Sequence, residues 1–165
     1  MIVLGIDPGL ARTGFGVVAA DGSRVRLLAQ GAVTTAAGLD TGTRLASIAA
    51  AVGELVERHR PDAVAVESLY VGANPRAILA VGQARGAALA ACGRSGVPSA
   101  EYSPAQVKTA VCGYGRAEKG QVGRMVAAIL GLAAAPASEH AADALAVAIC
   151  HLAASRVAIP AGGRR

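Results

Sequence analysis

Residues 1–18, MIVLGIDPGLARTGFGVV, decide the fold. Residues 2–6 form a continuous apolar run, the pattern of a strand covered on both faces. The run stops at Asp7-Pro8-Gly9, and a second apolar run follows over residues 15–20, with glycines at 9, 14 and 16 to turn the chain. A carboxylate, Asp7, therefore stands at the C-terminal lip of a central strand. Asp is seldom buried without a partner, but Asp-Pro-Gly is also a good turn sequence in which the carboxylate bonds its own backbone. Taken alone the stretch favours the turn. The rest of the chain reverses that preference.

A second apolar strand is expected over residues 63–66, and it too ends in an acid, Glu67. Two buried strands that each deliver a carboxylate at the same edge are more than turn chemistry explains. In open α/β sheets that edge is where ligands bind. Between the two, residues 24–35 read as a further strand after a turn at Asp21-Gly22. Leu45, Ile48, Ala49, Val52, Leu55 and Val56 recur at helical spacing up to His59, with Thr41 or Thr43 as the cap and Pro61 as the break.

Residues 68–75 are expected to form a loop holding Tyr70 and Asn74, and residues 76–93 a helix rich in small side chains. Such residues permit close approach of the sheet or of a second subunit. A short strand over 97–102 leads into Ser103-Pro104, an N-cap followed by a proline at the first helical position. Residues 113–120, GYGRAEKG, read as a basic loop before a helix over 122–130. The last helix is expected to start at Ser138 as N-cap, with Glu139 at the positive end of its dipole. His140 and Asp143 then fall at i and i+3 and share a face.

Composition bounds what such a chain can do. Its 165 residues suit one domain, expected over residues 1–159, with 160–165 as a disordered tail. Hydrophobic residues make up 53% but aromatics only 2%, so the core must be Leu, Val, Ile and Ala. No run reaches membrane-spanning length, and the N-terminus enters a strand with no signal-peptide pattern. Cys92, Cys112 and Cys150 have no metal-type spacing and read as reduced core residues of a cytoplasmic protein. The net charge of +5 and pI near 9.6 favour an acidic partner, nucleic acid first. Basic residues are overwhelmingly arginine. The lysines Lys108 and Lys119 lie in one polar region of a chain that otherwise chooses arginine for charge.

The acids not on evidently solvated helix faces are Asp7, Glu67 and Asp143, with His140 beside the last. Oxygen-rich clusters bind hard divalent cations. Two such ions about 4 Å apart activate a water and stabilise the leaving oxygen in phosphodiester cleavage.

On these residues the chain resembles a known family. GIDPGLARTGFGVV, VAVES, GQARG, YSPAQVK, AEKGQV and HAADALAVA are similar, in order, to segments of the RuvC-type Holliday junction resolvases. The resemblance runs to about Ile159. It implies an α/β, RNase H-like fold: a five-stranded mixed sheet flanked by helices. It also implies a homodimer that nicks opposing strands of four-way junction DNA, leaves 5′-phosphate and 3′-hydroxyl ends, and works with the RuvA–RuvB branch-migration machinery. Catalysis would use divalent metal, Mg²⁺ or Mn²⁺, with two ions per site expected. The family's acids fall on Asp7, Glu67 and Asp143, and its fourth position, often Asp, on His140. Its lysines near the scissile phosphate correspond to Lys108 and Lys119. Tyr70 falls where the family places an aromatic against junction bases, and Arg76 and Arg116 join these as expected DNA contacts. GQARG falls on the dimer-building helix.

Two other readings are weaker. An actin or sugar-kinase type ATPase also opens with a strand, an Asp and glycines, but needs a second lobe to enclose the nucleotide. A junction-binding protein with a vestigial site would keep the basic surface and lose the acids, which this chain retains.

Overall fold

The computed structural model describes residues 1–68 and 74–158, so Tyr70 and the expected tail at 160–165 lie outside the described residues. Five strands form one mixed sheet: β1 (Ile2–Asp7), β2 (Arg12–Asp21), β3 (Arg24–Thr34), β4 (Ala63–Glu67) and β5 (Ser99–Tyr102). Their order across the sheet is β3-β2-β1-β4-β5. The first three strands form an antiparallel meander, and β4 and β5 run parallel to β1. The five helices are α1 (Thr41–His59), α2 (Pro75–Arg94), α3 (Pro104–Cys112), α4 (Lys119–Leu130) and α5 (Glu139–Ala158). The five-stranded mixed sheet flanked by helices is therefore the one expected.

Alternation along the strands sorts the core into two layers. Leu4, Ile6, Val17, Val64 and Val66 face one way and pack with Ile48 and Val52 of α1 and Ala84 and Ala88 of α2. Val3, Val18 and Ala65 face the other way and pack with α5, which in turn carries Val107, Val111, Val122 and Val126 of α3 and α4. Helix α5 is thus buried between the sheet and an outer helical layer. Its apolar character runs all round rather than along one stripe, as such a position demands. Ala144, Leu145, Ala146, Val147 and Ala148 are each at most 1% exposed.

Glycines explain how α5 comes so close. Gly5 and Gly16 pair directly across β1 and β2, and Gly14 pairs with Asp7. A Cβ added at Gly5 would lie 1.9 Å from the Ala144 carbonyl oxygen, and one at Gly14 would lie 2.1 Å from that of His140. One at Gly16 would lie 2.6 Å from the Leu145 side chain. These residues form a trough for the helix. Gly14 and Gly16, read above as turn residues, lie inside β2 instead. Their requirement is close backbone approach, not a special dihedral.

Local signals set the helix starts. Asp40, not Thr41 or Thr43, caps α1: its carboxylate accepts from the Thr43 amide at 3.0 Å and from the Thr43 hydroxyl at 2.5 Å. A negative acceptor beats a hydroxyl at the positive end of a helix. Ser103 and Gln106 form a reciprocal capping box on α3, with Pro104 in the first turn. Ser138 accepts from the Ala141 amide at 3.1 Å, as expected of the cap of α5. The expected loop over 113–120 is shorter than read, because α4 begins at Lys119 rather than at residue 122. Glu118 takes the cap position without a side-chain bond, which is why the start left no clear sequence signal. Cys92 and Cys150 are buried free thiols pushed up to about 11 by burial, while Cys112 is only half-buried.

Candidate active site

The sheet's C-terminal edge collects the acids. Asp7 ends β1 and Glu67 ends β4, its parallel neighbour. The glycine trough brings the first turns of α5 over that edge, so His140 and Asp143 arrive beside them. His140 Nδ1–H donates to Asp7 Oδ2 at 2.7 Å. Lys119, at the start of α4, places its Nζ 3.3 Å from Asp143 Oδ2 and 3.1 Å from Glu139 Oε2.

Electrostatics bind these groups into one cluster. Burial raises the Asp7 carboxyl above its usual range; the His140 hydrogen bond opposes this, and the charge of Asp143 adds to it. Burial likewise raises Glu67, reinforced by the negative charges of Asp7 and Asp143 and opposed by Lys108 and Lys119. Lys119 is raised first by its hydrogen bond to Glu139 and then by the charge of Asp143, against the effect of burial. Three carboxylates thus repel one another across a shared edge, and nearby cations offset the repulsion.

A cleft of about 220 Å³ opens beside them, lined by Glu67, Lys108, Lys119 and Asp143. Both lysines therefore face Glu67 and Asp143 from one cleft. Arg76 and Arg116 are exposed, on the first turn of α2 and between α3 and α4, away from this lining.

Sequence reasoning missed three contributors. Glu139, read as a dipole partner, is an ion-pair partner of Lys119. Thr13 and Thr35, both buried, tie down the loop that follows Asp7: the Thr13 hydroxyl donates to the Gly9 carbonyl at 2.9 Å, and the Thr35 hydroxyl to that of Leu10 at 2.5 Å. Their only sequence signal is a polar residue where a strand should be apolar.

The donor set is three carboxylates and an imidazole, which is oxygen-rich and carries excess negative charge. That chemistry fits a hard divalent cation. Among the described residues, no group of three or more histidine, cysteine, aspartate and glutamate side chains is gathered closely enough to hold a metal ion. Lys119 and the His140–Asp7 bond supply the compensation within the chain itself.

The sequence matches the family described as Crossover junction endodeoxyribonuclease RuvC over residues 3–151. A relative of that name from Moorella thermoacetica is 51% identical over 151 residues, covering 92% of this chain and 90% of the relative. One from Rubrobacter xylanophilus is 49% identical over 161 residues, covering 98% and 90%. The solved structure of T. thermophilus RuvC in complex with Holliday junction substrate superposes with a TM-score of 0.92 at 43% identity, covering 96% of each chain. The yeast mitochondrial Holliday junction resolvase Ydc2 shares the fold, with a TM-score of 0.63 at 14% identity over 92% of this chain and 78% of its own. Matched over residues 3–151 and about half identical to such relatives over more than nine-tenths of its length, the chain belongs to the RuvC family of crossover junction endodeoxyribonucleases.

Proposed function

We propose that this chain resolves four-way DNA junctions by hydrolysing a phosphodiester at the crossover, with Asp7, Glu67, Asp143 and His140 as its metal-holding set and Lys119 as a catalytic cation. The observation that carries the reading is the convergence of Asp7, Glu67 and Asp143 on one sheet edge, bordered by a cleft lined with both lysines. A relative of 43% identity is solved on such a junction.

The residues divide the work. Asp7 feels the charge of Asp143, and Glu67 that of both Asp7 and Asp143. Together with His140 they would hold the divalent metal, Mg²⁺ or Mn²⁺ and two ions by the resemblance, which would supply Lewis-acid stabilisation of the phosphate and a water of lowered pKa. Lys119 places a positive charge where negative charge grows on the phosphate during attack. Lys108 lines the same cleft and contacts the backbone of the strand. Arg76 and Arg116 are exposed and suited to phosphates farther from the cut. Tyr70 is assigned to base stacking by the resemblance.

A homodimer would present two sites to the two-fold symmetric junction, so paired nicks would leave ligatable 5′-phosphate and 3′-hydroxyl ends. Within GQARG, Arg85 forms an ion pair with Glu101 that holds α2 to β5, so part of that motif serves the monomer. Cooperation with RuvA–RuvB follows the same reading. So does a cytoplasmic location; among the described residues no helix is long and apolar enough to cross a membrane.

The test is cleavage of a synthetic four-way junction with and without chelator, alongside binding to the same junction. Asp7→Asn, Glu67→Gln and Asp143→Asn each lose cutting by at least about 100-fold while junction binding persists, because binding rests on the basic surface. A variant that cuts at the wild-type rate removes its residue from the set.

A further inference from the structure

We propose that the groove on the far side of His140 is a second anion track, taking the sugar–phosphate backbone of the cut strand after it has crossed the acids. This deepens the junction-nuclease reading and rests on it. The groove, about 550 Å³, lies between the loop that follows Asp7, the end of β3, and α1 and α2. Among the described residues its charged lining is Arg12 and Arg44, and no acid lines it.

Arg44 is half-buried and held by one edge. Its Nε–H donates to Thr35 Oγ1 at 2.9 Å, and the Thr35 hydroxyl passes the tether on to the Leu10 carbonyl. A guanidinium carries five donors, and this bond uses one. Neither Arg44 nor Arg12 makes an ion pair among the described residues. Open guanidinium donors, those of Arg44 held in place, in a cleft without a lining carboxylate match an anion with several acceptor oxygens, which is what a phosphodiester offers. The opposite wall is Ala77 and Ala80, whose side chains are too short to obstruct a strand.

Position makes this a track rather than an isolated site. His140 lines the groove, and Asp143, three residues on in the same helix, lines the lysine cleft. A strand laid across the acids passes from one to the other, with lysines on one side of the cut and arginines on the other.

The test is anisotropy of a labelled four-way junction titrated with the metal-free full chain at several salt concentrations. Arg12→Gln and Arg44→Gln each shallow the slope of log affinity against log salt by up to about one unit. Neutral methylphosphonates at the phosphates on one side of the scissile bond abolish the difference between variant and wild type; on the other side they leave it. Thr35→Val cuts the tether, keeps both charges and keeps the slope. Arg12 is exposed at the start of β2 and donates no side-chain bond among the described residues, so its variant carries the test even where Arg44→Gln unfolds. Wild-type slopes in both variants, or a difference that neutral linkages on neither side remove, overturn the groove. Failure of the wild-type chain to bind or cut the junction overturns the proposed function itself.

Discussion

Glu67 carries a cost that its proposed role as a metal ligand explains. Its carboxyl is raised above its ordinary 4.5 by burial and by the charges of Asp7 and Asp143. A folded-state value above the unfolded one means the folded chain holds more protons in that window, so stability falls as pH rises through it. Glu67→Gln removes the penalty. In chelator at pH 7 the variant unfolds at a higher urea concentration than wild type. The gap closes as pH falls below the ordinary Glu value, where wild type is protonated in both states. Added Mg²⁺ stabilises wild type more than the variant, because only wild type offers the complete ligand set. A gap that persists at low pH assigns the gain to packing instead.

His140 raises a different question at the same scale. Its Nδ1 is engaged by Asp7, which leaves Nε2 as the nitrogen that would meet a metal. Magnesium favours all-oxygen octahedral sites, whereas manganese accepts imidazole more readily. His140→Asp therefore keeps cutting and lowers the ratio of Mn²⁺-supported to Mg²⁺-supported rate. An unchanged ratio makes His140 a partner of Asp7 and not of the ion.

At the scale of elements, the site depends on a helix seated in glycine. A methyl at Gly14 collides with the His140 carbonyl at 2.1 Å, a backbone atom that cannot rotate away. Gly14→Ala lifts the first turn of α5, which carries His140 and Asp143. Overpacking of this kind costs about 1–3 kcal/mol, and cutting falls beyond that loss because the acids separate. Ser138→Ala removes the cap at the same end, costing about 1 kcal/mol without a collision. Urea unfolding and cleavage rate, measured together, distinguish the two. Equal loss of cutting at equal stability would mean the helix seat does not set the geometry.

Which elements were legible in the sequence follows from the range of their signals. The strands ending in Asp7 and Glu67, and the caps Ser103 and Ser138, rest on neighbouring residues and read directly. The roles of Gly14 and Gly16 depend on which helix crosses β2, a contact more than 120 residues away in sequence, so they passed for turns. The start of α4 carries no capping bond, and Lys119 was therefore read as part of a loop. That the acids gather was legible only through two strands sharing a sheet edge; that Glu139 pairs with Lys119 was not, because its place at a helix start already explained it.

The whole molecule carries +5, and junction binding is expected to weaken steeply with salt. The two lysines differ in how much of that dependence each supplies. Lys119 already has two carboxylates within ion-pair distance, so its charge is partly neutralised by the chain before DNA arrives. Lys108 has no ion pair among the described residues; it faces the charge of Glu67 across the cleft but leaves more of its own charge to solvent counterions, which DNA then releases. Counterion release sets the salt slope. Lys108→Ala therefore shallows it by close to one unit and Lys119→Ala by clearly less. The order reverses in the chemical step. Lys119 shares the edge with Asp143, so Lys119→Ala slows cutting at saturating enzyme more than Lys108→Ala does. Anisotropy across a salt series and single-turnover cleavage of the same junction measure both. A larger slope change for Lys119→Ala, with equal cutting rates, would mean its contacts with Glu139 and Asp143 do not hold in solution.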